Sequence, residues 1–148
     1  MNLYDSFKIS ASGLSAERLR MDVISSNIAN ANSTRSAKGG PYKRQVAILQ
    51  PADPQESFQT ALREKQNKGA GLTGVKVAGI IEDTSPTKKV YDPKHPDANG
   101  EGYVEYPNVD VMKEMVEMIT ASRAYEANVT ALNGTKSMIL KTLEIGRG

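Results

Sequence analysis

Every proline in this chain of 148 residues, seven in all, falls between Pro41 and Pro107. Proline removes a helix hydrogen bond and clashes with the preceding turn, so the flanks, residues 3–32 and 108–145, can run as long helices. Six of the twelve glycines also lie in that middle stretch, where they mark turns. Three segments follow: an N-terminal helix within residues 1–32, a turn-rich middle over 33–107, and a C-terminal helix within 108–148. A middle of roughly 75 residues builds only a modest core, and two Phe with no Trp give it few large aromatic anchors. The expected fold is α+β. Two long terminal helices pair as a coiled-coil-like layer, and a small β-rich middle domain with long loops joins them.

The helices carry more apolar stripe than such a middle can cover. In the first, Phe7, Leu14, Met21 and Ile28 recur every seven residues, flanked by Leu3, Ala11, Ile24 and Ala31, a heptad-like pattern. An ordinary amphipathic helix resting on its own core would show the same pattern. Asn2 or Asp5 could cap its start, and the run should fade at Asn30-Ala31-Asn32, where short polar side chains favour turns. In the second, steps of four and three pick out Val111, Met115, Met118, Ser122, Tyr125, Val129, Leu132, Lys136, Ile139 and Leu143. Eight of these ten can be buried, while Ser122 and Lys136 interrupt the seam. Met112, Val116 and Ile119 widen its face over the first three turns, enough to meet a second neighbour. Pro107-Asn108 reads as a stop followed by an N-cap, with Asp110 and Glu114 favourably placed near the positive end of the helix dipole.

The middle offers four short strand candidates: Tyr42–Leu49, Gly74–Ile81, Lys88–Tyr91 and Gly102–Tyr106. Asn99-Gly100 is a type I′ hairpin signal between the last two, although Asp92-Pro93-Lys94-His95-Pro96 makes that connection long. Ser57–Gln66 could form a turn or two of helix.

Chemistry is hard to place on this sequence. There is no cysteine, hence no disulfide framework and no thiolate metal site. The single histidine, His95, sits near Asp92, Asp97 and Glu101, but turn-forming acids in a solvated loop explain that grouping better than a metal site. No base neighbours Ser25 or Ser26 to make a nucleophile, and no glycine run opens a helix as a phosphate loop must. Lys43-Arg44 and Lys88-Lys89 read as solvated pairs. Net charge is +2, and both helical segments balance: three acids against three bases in residues 1–32, five against five in 108–148. A nucleic-acid binder would show a basic stripe. The expectation is a protein without catalysis, cofactor, metal, nucleic acid or small-molecule substrate. No secretory leader is visible at residues 1–8 and no segment approaches a membrane span.

Ser25-Ser26-Asn27-Ile28-Ala29-Asn30, within residues 11–32, resembles the N-terminal signature of bacterial flagellar rod and hook proteins. Residues 108–128, from Asn108-Val109-Asp110 to Tyr125-Glu126-Ala127-Asn128, are similar to the matching C-terminal signature. Gly39-Gly40-Pro41-Tyr42 and residues 74–80 and 91–104 narrow the resemblance to the short proximal-rod type. It extends over nearly the whole chain. The resemblance implies a structural subunit exported through the flagellar type III apparatus without a cleaved signal. It then assembles in the periplasm with copies of itself and other rod proteins into the hollow shaft that carries motor torque. Asn27 and Asn30 are candidates for hydrogen bonds at the helix end or between subunits, and a plain C-terminal cap serves equally for Asn30. A free-standing helical-hairpin adaptor would share the stripes and the neutrality.

Overall fold

The computed structural model describes residues 3–37, 39–52 and 73–146. Helix α1 spans Leu3–Ala29 and helix α2 spans Val111–Ile145. Between them come β1 (Gln45–Pro51), β2 (Val75–Glu82), β3 (Lys88–Tyr91) and β4 (Tyr103–Tyr106). The helices are 27 and 35 residues long, or roughly 40 and 52 Å at 1.5 Å per residue. Strands pair as two separate ribbons, β1 with β2 and β3 with β4. The architecture is α+β: two long helices packed together, with short strands in between. The helical turn expected at Ser57–Gln66 and the proposed cap Asn2 lie outside the described residues. Asp5 falls inside the first turn of α1.

Two contacts join the helices. Gly13 of α1 lies against the Asn128 side chain of α2, and Asn27 is hydrogen-bonded to Glu114.

Helix α2 starts at a different cap from the one expected. Asp110 Oδ1 accepts from the N–H groups of Met112 and Lys113 at 3.0 and 3.4 Å, the geometry of an N-cap. Asn108 is occupied elsewhere: its Oδ1 accepts from Arg44 N–H, and its Nδ2 donates to the carbonyls of Asp83 and Ser85. The β3–β4 connection also departs from expectation. Its antiparallel register pairs Lys88 with Tyr106 and Tyr91 with Tyr103, but neither Asn99 nor Gly100 has the positive φ a type I′ turn needs. Instead Asn99 Oδ1 accepts from Glu101 and Tyr103 N–H. The left-handed position is Gly102, φ 82°, whose missing side chain makes room for the Tyr91 ring and Pro93.

The chain forms two compact units, and both helices pass through each. One comprises residues 1–18, 49–78 and 123–148, the other 19–48 and 79–122. In the second unit Val23 and Ile24 of α1, Val104 of β4, Pro107, Val109 and Ala121 of α2 are all buried. In the first, Ala16 and Thr135 are the buried side chains among the described residues. There Ser12 Oγ accepts from Val75 N–H and donates to the Ile9 carbonyl, tying β2 to α1. A Cβ at Gly74 would overlap that hydroxyl.

Gly13 allows a testable account of close packing in the first unit. A Cβ there would lie 3.0–3.2 Å from the Asn128 amide, which is tied back to the Ala124 carbonyl at 3.0 Å. Helix propensity alone favours Ala over Gly by about 1 kcal/mol. Gly13→Ala is therefore expected to stabilise by about that much in an Asn128→Ala background and by clearly less alone. A double-mutant cycle in urea measures the difference.

Candidate functional site

The most buried polar residues of the second unit form one connected cluster. Asn27 has no solvent exposure and uses its full hydrogen-bonding capacity. Its Nδ2 donates to the Gln45 carbonyl at 2.8 Å and to Glu114 Oε2 at 2.9 Å. Its Oδ1 accepts from Gln45 N–H at 2.9 Å and from the Tyr42 hydroxyl at 3.0 Å. The amide thus takes the place of a neighbouring strand for Gln45, at the first residue of β1. Glu114, equally buried, accepts from Arg44 Nε at 2.6 Å through its other oxygen. Arg44 Nη2 reaches both oxygens of Glu117 at 3.1 and 3.2 Å, and Nη1 lies 3.8 Å from Asp83. Arg44 N–H is held by Asn108 and its carbonyl accepts from Asp83 N–H.

Burial works against the Arg44 charge, but the hydrogen bond and charge of Glu114, then Glu117 and Asp83, outweigh it and raise the guanidinium above its ordinary value. The reading of Lys43-Arg44 as a solvated pair is corrected here. Lys43 is exposed, while Arg44 points inward and balances a buried carboxylate.

Two further carboxylates of this unit are held below their usual range. For Asp83 the main cause is the Ser85 hydroxyl and N–H, with Arg44 and Lys113 adding to it. For Asp97 it is the Thr34 hydroxyl, supported by Arg35 and His95. A lowered carboxyl pKa adds stability that is complete above the unfolded value of about 4 and is lost as pH falls through the folded value. The urea midpoint is therefore expected to fall below about pH 4, and Asp83→Asn with Asp97→Asn should flatten that fall.

The expected histidine cluster is a loop fastening. His95 Nδ1 accepts from Asp97 N–H and its ring meets the Tyr106 ring edge-on, while Asp97 pairs with Thr34 and Arg35. Among the described residues no group of three or more His, Cys, Asp or Glu is placed to hold a metal.

On α2 the deeply covered positions are Glu114, Ala121 and Thr135, and Asn128 faces Gly13, so this inward line repeats every seven residues. On α1 it follows Gly13, Ala16, Val23 and Asn27. The α2 line is small or polar, and an apolar count passes over it, while the α1 line mixes small and polar residues with apolar Val23. The signal that could have exposed the α2 line is that same spacing of seven, running through Glu, Ala, Asn and Thr. The apolar seam residues sit beside or outside this line. Ile24 is buried, and Leu14, Met21, Ile28, Met118, Tyr125, Val129, Leu132 and Ile139 are half-buried. Phe7, Val111, Met115 and Leu143 are exposed. Asn30 is half-buried, donating to the Ser26 carbonyl at 2.9 Å and accepting from the Ser33 hydroxyl at 3.1 Å. In the first turns of α2, Met112, Met115, Val116 and Ile119 are 72, 49, 62 and 54% exposed. At i, i+3, i+4 and i+7 they form one continuous outward row.

The exposed apolar row is a surface of the kind a structural protein built into an assembly presents. Residues 7–38 match the family model for flagella basal body rod proteins, and residues 101–145 match that for the C-terminal part of the flagellar basal body rod FlgEFG proteins. The class is thus that of the flagellar basal-body rod proteins. Among full-length relatives, the chain is 49% identical to the flagellar basal-body rod protein FlgC of Bacillus subtilis (strain 168), over 99% of this chain and 100% of that one. Identity is 46% to FlgC of Borreliella burgdorferi, with both chains covered completely. It is 45% to FlgC of Escherichia coli O6:H1, over 99% of this chain and 100% of that one. The chain belongs to the FlgC family of flagellar basal-body rod proteins. Its role is that of a structural subunit of the basal-body rod, in a family without enzymatic activity.

Proposed function

We propose that this subunit polymerises with copies of itself and with other rod proteins into the hollow proximal rod, through the outer faces of its paired helices. The observation carrying this reading is the outward row Met112, Met115, Val116 and Ile119, on a helix whose inward line, Glu114, Ala121, Asn128 and Thr135, is small or polar. The interface takes in Phe7, Leu14, Met21 and Ile28 of α1, with Asn30 past its end, while Ile24 and Asn27, which the sequence also offers, are buried within the subunit and support it from inside. On α2 it takes in Val111, Met115, Met118, Tyr125, Val129, Leu132, Ile139 and Leu143. Repeated contacts between unlike patches build a helical stack rather than a closed ring. The family resemblance supports passage through the type III export apparatus without a cleaved signal, and assembly in the periplasm into the shaft that transmits motor torque.

Long helices gain little from propensity alone and need packing to persist. Each apolar side chain covered on incorporation contributes about 1.5–3 kcal/mol before ordering costs. Helix ordering and assembly are then coupled. Far-UV circular dichroism across a concentration series, with sedimentation on the same samples, tests this. Helix content should rise as large species form. A constant helical signal from a discrete monomer or dimer at all concentrations would remove the coupling and favour a self-contained helical hairpin.

A further inference from the structure

Asparagine followed by glycine occurs twice in this chain, as Asn99-Gly100 and Asn133-Gly134. The pair carries a chemistry of its own: the glycine nitrogen can attack the asparagine side-chain carbonyl, because no Cβ on the second residue stands in the way. Both pairs are exposed, so access of water does not separate them. Their backbones do. Asn133 and Gly134 lie inside α2, where each N–H donates to the carbonyl four residues back. Helical side chains also lean toward the N-terminus, away from the nitrogen that follows them.

Asn99 is held in the opposite way. It opens a turn in which Gly102 N–H donates to the Asn99 carbonyl at 2.9 Å. Such a turn joins its first carbonyl to its fourth N–H, so the Gly100 nitrogen takes no part in that bond. Asn99 Oδ1 accepts from Glu101 N–H at 3.0 Å and from Tyr103 N–H at 2.9 Å. The first of these closes a ring of the Asx-turn kind, and that ring contains both the Gly100 nitrogen and Asn99 Cγ. The two donors meet at the oxygen on which negative charge develops during attack, the arrangement of an oxyanion hole.

We propose that Asn99 is a site of spontaneous deamidation in the folded subunit, with water as the co-reactant, and that Asn133 is protected from it. The Gly100 nitrogen gives its proton to hydroxide, and its electron pair forms a bond to Asn99 Cγ while the C=O pair moves onto Oδ1. Collapse of this intermediate breaks the Cγ–Nδ2 bond, and Nδ2 takes a proton from water and leaves as ammonia. Water then opens the five-membered imide at either carbonyl. Cleavage at Cγ gives aspartate. Cleavage at the backbone carbonyl gives isoaspartate, whose main chain runs through Cβ and Cγ. Either product adds one negative charge to a chain of net charge +2. Isoaspartate also takes the carbonyl that Gly102 bonds out of the main chain, loosening the connection between β3 and β4. Nothing in this chemistry depends on how subunits assemble.

The test incubates the full chain, folded or held in concentrated guanidinium chloride, in the same mildly alkaline buffer and maps tryptic peptides by mass. Asn99 lies in the peptide 95–113 and Asn133 in 124–136. In the folded subunit Asn99 should convert on the order of tenfold faster than Asn133, which reacts only when the helix opens locally. In denaturant, where neither backbone is held, the two rates should converge, and Asn99 should be no faster there than in the fold. Equal rates in the folded subunit, or an Asn99 rate that rises about tenfold on unfolding, would overturn the proposal. Gly100→Ala separates ring closure from direct hydrolysis. Gly100 has no positive φ, and a Cβ there meets nothing within 4 Å, so the urea midpoint should be unchanged. Conversion at Asn99 should nonetheless slow about tenfold, because the attacking residue now carries a side chain. Conversion at the parent rate, or aspartate without isoaspartate in the parent, would overturn the cyclic route.

Discussion

Arg44→Met should destabilise the subunit by about 3–5 kcal/mol, read as a drop in the urea midpoint without a change in slope. The cause is Glu114. It is fully buried, and Arg44, its cationic partner among the described residues, sits 2.6 Å away, so truncating the guanidinium leaves a buried charge without that partner. Glu114→Leu should cost less, since Arg44 keeps both Glu117 oxygens and Asn27 loses one acceptor. The double variant, Arg44→Met with Glu114→Leu, should recover most of the loss, because an apolar pair of similar volume carries no desolvation cost. A loss under about 1 kcal/mol in Arg44→Met would mean that the buried carboxylate does not depend on this partner.

Met115→Asp combined with Ile119→Asp should abolish swimming in soft agar while leaving the free subunit's midpoint within about 0.5 kcal/mol of the parent. Both side chains are about half exposed in the subunit, so water already reaches the substituted positions. Incorporation is another matter. Covering each apolar residue is worth about 1.5–3 kcal/mol, and a carboxylate carried into the same contact has to shed its water unpaired. Sedimentation of the variant should show monomer at concentrations where the parent forms large species. Normal swimming by this variant would take the row out of the assembly interface.

The two predictions test opposite sides of the same helix, and only one side was legible in the sequence. The absence of proline located both helices, and their ends moved by no more than three residues. At the start of α2 the shift arose because Asp110 rather than Asn108 caps it. Lys88–Tyr91 was matched end to end. The outward apolar residues were readable because hydrophobicity at helical spacing is a strong local signal. The polar inward line was not, because Glu114, Asn128 and Thr135 look like solvated positions until a partner is known. Arg44 is harder still. Its burial depends on Asn27 and Glu114, which lie 17 and 70 positions away along the chain, and no local pattern separates it from Lys43. The Asn99-Gly100 signal failed for a related reason. Its turn preference applies to a two-residue connection, whereas residues 92–102 form a longer loop in which Asn99 serves as a side-chain acceptor.

Apolar helix surfaces can slip past one another with gradual loss of contact, so a pair joined by grease alone yields to shear. Asn27 changes that response. A slip of a single residue moves one helix about 1.5 Å along its axis. That shift stretches and tilts the direct Asn27–Glu114 bond of 2.9 Å toward the limit at which hydrogen bonds hold, and it pulls on the Gln45 and Tyr42 bonds of the same amide. Resistance is therefore stiff at small displacement and concentrated at one level of the pair. In a structural subunit of the basal-body rod, that level acts as a rivet between the helix segments it joins, and the outward apolar row of α2 takes no part in it.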